Sequence, residues 1–324
     1  MTTGRWLTAE GAALARQVLR RLADDGDLAG LALPVVEGRP DLRELPGGGL
    51  ITGDARLAGL DLRRAWLFQA LIEHTELTGC RLDGADLSGT VLAGGSVTGC
   101  SMTGAKANDL LIADGHWEGV DLTGARANHV TAERTTFVRC TFPRLAKAEF
   151  RACSFEECRF TGPVRDCQFL AAPRDVFRDE ERAPGDRGAA LREFAPGERG
   201  DAFRDVEFAS DDLRDTEFHG MDFESVRFPE SDRLIVIPRA FRAVARRADR
   251  RSASRTDEIG REFRRFLSSQ SLQRPEKSET AGWAIDRRGL GDIAGFAAET
   301  LYVAQNELRA ELVDSPPENV VGGP

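Results

Sequence analysis

From Ala55 to Phe142 an apolar or small residue returns at every fifth position, and no other property of the chain restricts its fold as much. The row runs through Leu57, Leu62, Leu67, Ile72, Leu77, Leu82, Leu87, Leu92, Val97 and Met102. It continues through Ala107, Ile112, Trp117, Leu122, Ala127, Ala132, Phe137 and Phe142. Two positions before these centres stand residues such as Ala65, Ala70, Thr75, Cys80, Ala85, Thr90, Cys100 and Ala105. A period of five matches neither the period of about 3.6 of an α-helix nor the period of about 2 of a flat strand. It marks an internal repeat whose unit is one short side of a larger coil.

Four such sides close a coil of about 20 residues, and coils stack at about 4.8 Å, the spacing of neighbouring strands. The longer period is present. Thr78-Gly79-Cys80 returns as Thr98-Gly99-Cys100, and Thr103-Gly104-Ala105 returns as Thr123-Gly124-Ala125. Units such as Ala85-Asp86-Leu87-Ser88-Gly89 follow an A(D/N)LxG-like pattern, and in them the chain resembles the pentapeptide repeat proteins. The resemblance implies a mainly β solenoid, a right-handed quadrilateral β-helix. The repeat units number about 28, which makes about seven coils of four sides each.

The frame predicts domains at 1–50, 51–230 and 231–324. Residues 8 to 24 read as an amphipathic helix with Thr8 as N-cap and Leu14, Val18 and Leu22 on one stripe. With the loose linker from Leu31 to Gly49 it would cap the open solenoid end, where unpaired backbone must be covered. After Phe142 the register slips to Phe150, Phe155 and Phe160, as if about three residues between Pro143 and Lys147 bulged out; another slip leads to Phe169. Residues 171 to 200, rich in Pro, Gly and charge, read as a long surface excursion with a helical turn near Ala189 to Phe194. The frame returns at Phe203 and runs to Phe228.

Beyond it, Leu234 to Ile237 reads as a strand and Arg239 opens a helical pattern with Phe241, Val244, Ala245 and Ala248 on one face. Ile259, Phe263, Phe266 and Leu267 extend the apolar spacing past a weak point at Ser252 to Ser254. Ser268 to Thr280 reads as a polar linker, and a last helix is expected from about Gly291 to Val313. The apolar stripe of that helix needs a partner, either the solenoid end or another subunit, so a homodimer through the C-terminal helices is one expectation.

Chemistry finds little footing in the sequence. The six cysteines fall on the small inward position and read as buried hydrophobes. The four histidines, His74, His116, His129 and His219, fall outward, and no phosphate-binding glycine loop, HExxH or GxSxG motif is present. No catalytic residue, metal or cofactor is expected, and the chain is read as non-enzymatic. No apolar run reaches the roughly 18 residues of a membrane span, and Met1 to Trp6 lack a signal-peptide core, so a cytoplasmic protein is expected. The formal charge of −9 weighs against direct nucleic-acid binding.

Charge is distributed unevenly. Residues 201–230 hold Asp205, Glu207, Asp211, Asp212, Asp215, Glu217, Asp222 and Glu224 among ten acids, against three arginines. Residues 233–265 hold Arg246, Arg247, Arg250 and Arg251 among eleven arginines, against four acids. These twelve named residues are the candidate partner-binding set. Two functions stand open: a protein-interaction scaffold whose partner docks on the helical C-terminal region or on the 171–200 excursion, and, as the family resemblance implies, a DNA mimic directed at a type II topoisomerase such as gyrase. A mimic needs acids stacked in columns like phosphates along a duplex. Glu207, Asp212, Glu217 and Asp222 occupy successive sides and form a ring instead, and the column Asp86, Lys106, Arg126 turns positive. The plainer reading is that the ring neutralises the arginine helix or that both are solvated faces.

Overall fold

The computed structural model describes residues 4–171, 202–272 and 282–314. The excursion at 172–200, its expected helical turn and the tail beyond Asp314 lie outside the described residues. The chain divides into two compact units, residues 1–221 with 225–229, and residues 222–224 with 230–324.

The first unit is a β-solenoid in which residues one coil apart pair in parallel, in four columns. Among the described residues one column is an eight-stranded sheet running from Ile51–Gly53 to Glu217–His219, and another is a seven-stranded sheet running from Arg56–Ala58 to Phe203–Arg204. The other two begin as single bridges, Asp41 to Asp61 to Arg81 and Pro46 to Trp66 to Asp86. The backbone amide of Leu67 donates to the Asp86 carbonyl at 2.8 Å and that of Leu87 to Lys106 at 2.7 Å, so each coil is hydrogen-bonded to the next. The five-residue frame therefore sets burial directly. Leu57, Leu62, Leu67 and Ile72 are buried, as are Ala55, Leu60, Ala65 and Ala70 two positions earlier.

The core changes along the stack from aliphatic to aromatic, and its rings align from coil to coil. Phe142, Phe160, Phe208 and Phe228 stack with centroid separations of 4.7, 4.6 and 5.1 Å. Phe150, Phe169 and Phe218 do the same at 4.9 and 5.1 Å. Strand spacing lies close to the separation that offset rings prefer, so the backbone ladder and the ring ladder share one repeat.

The repeat starts earlier than its sequence suggests. Instead of a loose linker, Asp41 to Leu50 already pair with the following coil, and Leu42, Leu45 and Leu50 are buried on frame. Pro40, Pro46 and Gly47 obscure that coil in the sequence, yet a β-bridge tolerates proline where no ladder donor is needed. Val35–Val36 and Arg39–Pro40 form a short antiparallel hairpin before it. The slip after Phe142 is not a bulge either. Leu145 is buried, pairs with Val164 and forms the centre of a shortened side, so Thr136 pairs with Ser154 across 18 residues instead of 20. Val164 is likewise the centre of the side before Phe169.

Helix α1 (Ala9–Asp24) begins where Thr8 Oγ1 accepts the Gly11 amide at 3.0 Å. It covers the first coils: Thr52 Oγ1 donates to the Leu22 carbonyl at 2.8 Å, and Trp6 Nε1 donates to the Arg43 carbonyl at 2.8 Å.

The second unit has its own core. Leu234–Ile237 pairs antiparallel with Trp283–Asp286. Around this strand pair pack α2 (Phe241–Ser252), α3 (Glu258–Leu272) and α4 (Ala294–Asp314). Ile235, Ile237, Phe241, Val244, Phe263, Trp283, Ala297 and Leu301 share one apolar cluster. Ala297, Leu301 and Ala304 of α4 lie in this cluster, so that part of its stripe is covered by elements of its own unit. α3 runs to Leu272, so residues 268–272 are helical and not linker; the rest of that linker, 273–280, lies outside the described residues.

Candidate functional site: interaction surfaces

Inward positions of the solenoid carry packing. The six cysteines are buried, and their thiols face backbone carbonyls, as Cys80 Sγ does Leu57 at 3.2 Å. Burial pushes the Cys153 thiol up to about 12 and that of Cys167 up to about 11. The histidines stand on outward positions, His129 beside Asp109 at 3.3 Å and His219 beside Glu217 at 2.6 Å. Asn128 Nδ2 donates to Asn108 Oδ1 at 2.9 Å, an amide ladder between coils. Among the described residues no group of three His, Cys, Asp or Glu could hold a metal ion, and no helix is long and apolar enough to cross a membrane.

Outward charges pair from coil to coil with opposite sign. Arg56 meets Glu76 at 3.3 Å, Lys106 meets Asp86 at 3.0 Å, and Arg134 meets Asp114 at 2.7 Å. The acidic coils obey the same rule. Glu207 lies between Arg159 at 3.2 Å and Arg227 at 3.6 Å in one column. Asp212 accepts from Arg165 and from Arg214. Burial alone would raise its carboxyl, but the Arg214 and Arg165 guanidiniums outweigh that and hold it well below the usual carboxylate range. Glu217 faces His219. Asp205 and Asp215 are exposed at corners with φ of 52° and 53°, a left-handed conformation that aspartate tolerates; Asp211 is half-buried.

The second unit sorts the remaining nominated residues. Arg239 bridges Asp222 at 3.2 Å and Glu224 at 2.8 Å. Arg247 and Arg251 of α2 both reach Glu307 of α4, Arg247 at 3.5 Å. The acid that neutralises these two is therefore on a helix, not in the solenoid ring that the charge counts suggested. Arg246 and Arg250 are exposed, and among the described residues no carboxylate lies within ion-pair distance of either.

A further surface escaped the reading of the sequence. Ile51, Leu71, Val91 and Leu111 are outward, in register on consecutive strands of the eight-stranded sheet. Ile51 is 64% exposed and Leu111 40%. Beside this ridge runs a row of mostly small residues, Gly53, Glu73, Ala93 and Ala113, on the same strands. On the adjacent face of the second coil Trp66 is 59% and Phe68 44% exposed, with the Phe68 ring lying against Gly48. Farther along the same sheet the outward residues become Thr131, Glu149, Gln168 and Glu217, so the apolar character is confined to four strands. The signal in the sequence is an apolar residue one position before the frame centre, recurring at 20; it is masked because at least one of its two neighbours is apolar as well.

Residues 65–104 match the family model described as pentapeptide repeats, in eight copies. No curated protein sequence matches the chain. Among solved structures, a trypsin-treated QnrB1, described as a plasmid-mediated fluoroquinolone resistance protein, is 13% identical. The match covers 40% of this chain and 79% of that one, with a TM-score of 0.31. Full-length QnrB1 is 11% identical over 59% of this chain and 89% of that one, with a TM-score of 0.26. HetL, a pentapeptide repeat protein involved in heterocyst differentiation regulation in the cyanobacterium Nostoc, is 14% identical over 40% of this chain and 81% of that one, with a TM-score of 0.14. The five-residue frame that matches the pentapeptide repeats over residues 65–104 is the one that folds as four parallel columns.

Proposed function

We propose that this chain is a non-enzymatic protein-interaction scaffold whose partner docks on the apolar face of its first coils. One observation carries the reading: Ile51, Leu71, Val91 and Leu111 stand in register and outward, with Trp66 and Phe68 on the adjoining face. Contiguous exposed apolar surface of this kind costs hydration free energy of about 25 cal/mol for each Å², and burial against a partner relieves it. The two rows are almost free of charge, with Glu73 their one ionisable side chain, so recognition on them would rest on apolar area. The alternative, a DNA mimic acting on a type II topoisomerase, would need like charges stacked along a column. Glu207 between Arg159 and Arg227 does not support it.

The test compares proteins captured from lysate by the wild-type chain, by a Leu71→Arg/Val91→Arg variant and by a Thr78→Arg/Thr98→Arg control on the neighbouring sheet. Capture that survives in the control and is lost in the first variant is expected, with circular dichroism unchanged in both. Equal capture by all three, or none by the wild type, overturns the reading.

A further inference from the structure

The seven arginines from Arg239 to Arg255 divide into two groups. Arg239, Arg247, Arg251 and Arg255 each lie within ion-pair distance of a carboxylate of their own unit: Asp222 and Glu224, Glu307, Glu307 again, and Asp257. Arg242, Arg246 and Arg250 have no such carboxylate among the described residues, and they are spaced one helical turn apart on α2. Residues four apart on a helix share a face, with a rise of about 6 Å for each step, so these guanidiniums form a row about 12 Å long. Phe241, Val244, Ala245, Ala248 and Ser252 of α2 are buried, which fixes the row on the opposite, outer side. Arg246 and Arg250 are exposed and Arg242 is half-buried.

We propose that Arg242, Arg246 and Arg250 form a docking site for an acidic protein segment that presents carboxylates one helical turn apart. Three like charges at this spacing repel each other, and the unit places its own carboxylates on α2's other flank. An acidic segment supplies the missing sign, and the guanidinium fork suits carboxylates in bidentate geometry. Asp249, exposed on the edge of the row, sets its limit: a short peptide can avoid it, whereas a continuous phosphate backbone would run against it. The three-residue length favours the peptide over a duplex for the same reason, since duplex binding draws on a broad basic field. The site is separate from the apolar face of the solenoid and stands whether or not a partner docks there.

Fluorescence anisotropy of the full chain tests the site. The probe is a labelled synthetic helical peptide with Glu at positions i, i+4 and i+8, compared with its Gln counterpart and with a labelled 20-base-pair duplex. The Glu peptide is expected to bind, to lose affinity as salt rises, and to weaken at least about 10-fold in an Arg246→Glu/Arg250→Glu chain. The milder Arg246→Gln/Arg250→Gln chain, which keeps both helical positions polar, is expected to shift the same way by a smaller factor. Absence of binding by the wild type, equal binding of the Gln peptide, or undiminished binding by both variants overturns the proposal. Tighter, arginine-dependent binding of the duplex overturns it in favour of a nucleic-acid partner.

Discussion

Arg165 donates from Nε to Asp212 Oδ2 at 2.7 Å, although the two residues are 47 positions apart in the chain. Asp212 Oδ1 also accepts from Arg214 Nε at 2.9 Å. An acid from the most acidic stretch of the sequence is thus held between two arginines of its own solenoid. Its carboxyl is lowered below the unfolded value near 3.9, so its stabilisation is present above that pH and is lost as pH falls below about 4. Asp212→Asn is expected to destabilise the chain by about 1–3 kcal/mol at pH 7. Urea melts at pH 7 and pH 3 check this, and the gap between variant and wild type should narrow at the lower pH.

Phe160 stacks between Phe142 and Phe208 and is fully buried. Phe160→Ala removes a ring from the middle of a rigid ladder that cannot collapse around the gap, so a loss of about 3–5 kcal/mol is expected. Phe160→Leu should cost less. Thermal unfolding of the two variants gives the order.

Gly95 occupies a small inward position with φ of 72°, and a Cβ there would lie 2.3 Å from the Thr75 carbonyl oxygen. Gly95→Ala combines left-handed backbone with a clash against the coil below, and a loss of more than about 1 kcal/mol is expected. Gly99→Ala has the same sign of φ but open space around its Cβ, so its denaturation midpoint should fall less.

All six thiols are buried, and those of Cys153 and Cys167 are pushed far above their ordinary value. A reagent must reach a thiol to react with it, so with all six buried a disulfide reagent at pH 8 is expected to titrate essentially no thiol in the native chain and all six in denaturant. Rapid native labelling would place a cysteine outside the core.

Opposite charges alternate between coils at Arg56 and Glu76, Asp86 and Lys106, and Arg159, Glu207 and Arg227. A chain with this pattern is expected to leave supercoiling by DNA gyrase unchanged at stoichiometric excess. Inhibition, or protection of the enzyme from a fluoroquinolone, would instead support mimicry.

Much of the solenoid is readable from local pattern, and the places where reading fails share a cause. Leu145 and Val164 are frame centres hidden by sides of shortened length, since neither lies five positions from the centre before it. The coil opened by Asp41 is hidden by proline and glycine, which mark a turn in a helix or sheet but are tolerated at a bridge. The candidate partner set divides for another reason. Arg247 and Arg251 differ from Arg246 and Arg250 only by which side of α2 faces Glu307, and no count of charges contains that.

The sequence by itself determined the repeat, its inward and outward positions, the burial of the cysteines, the outward placement of the histidines and the existence of a helix within 8–24 and of another beginning near Arg239. Each follows from spacing within a few residues, because an apolar period of five can be buried only by a coil that turns every five residues. Tertiary structure alone decided which charges are neutralised and which apolar side chains remain uncovered. Asp212 found its arginine 47 positions away, and Ile51, Leu71, Val91 and Leu111 became one surface only when their coils were stacked. Electrostatic pairing and exposed apolar area depend on distances across coils and between helices, and those distances exist only once the chain has folded.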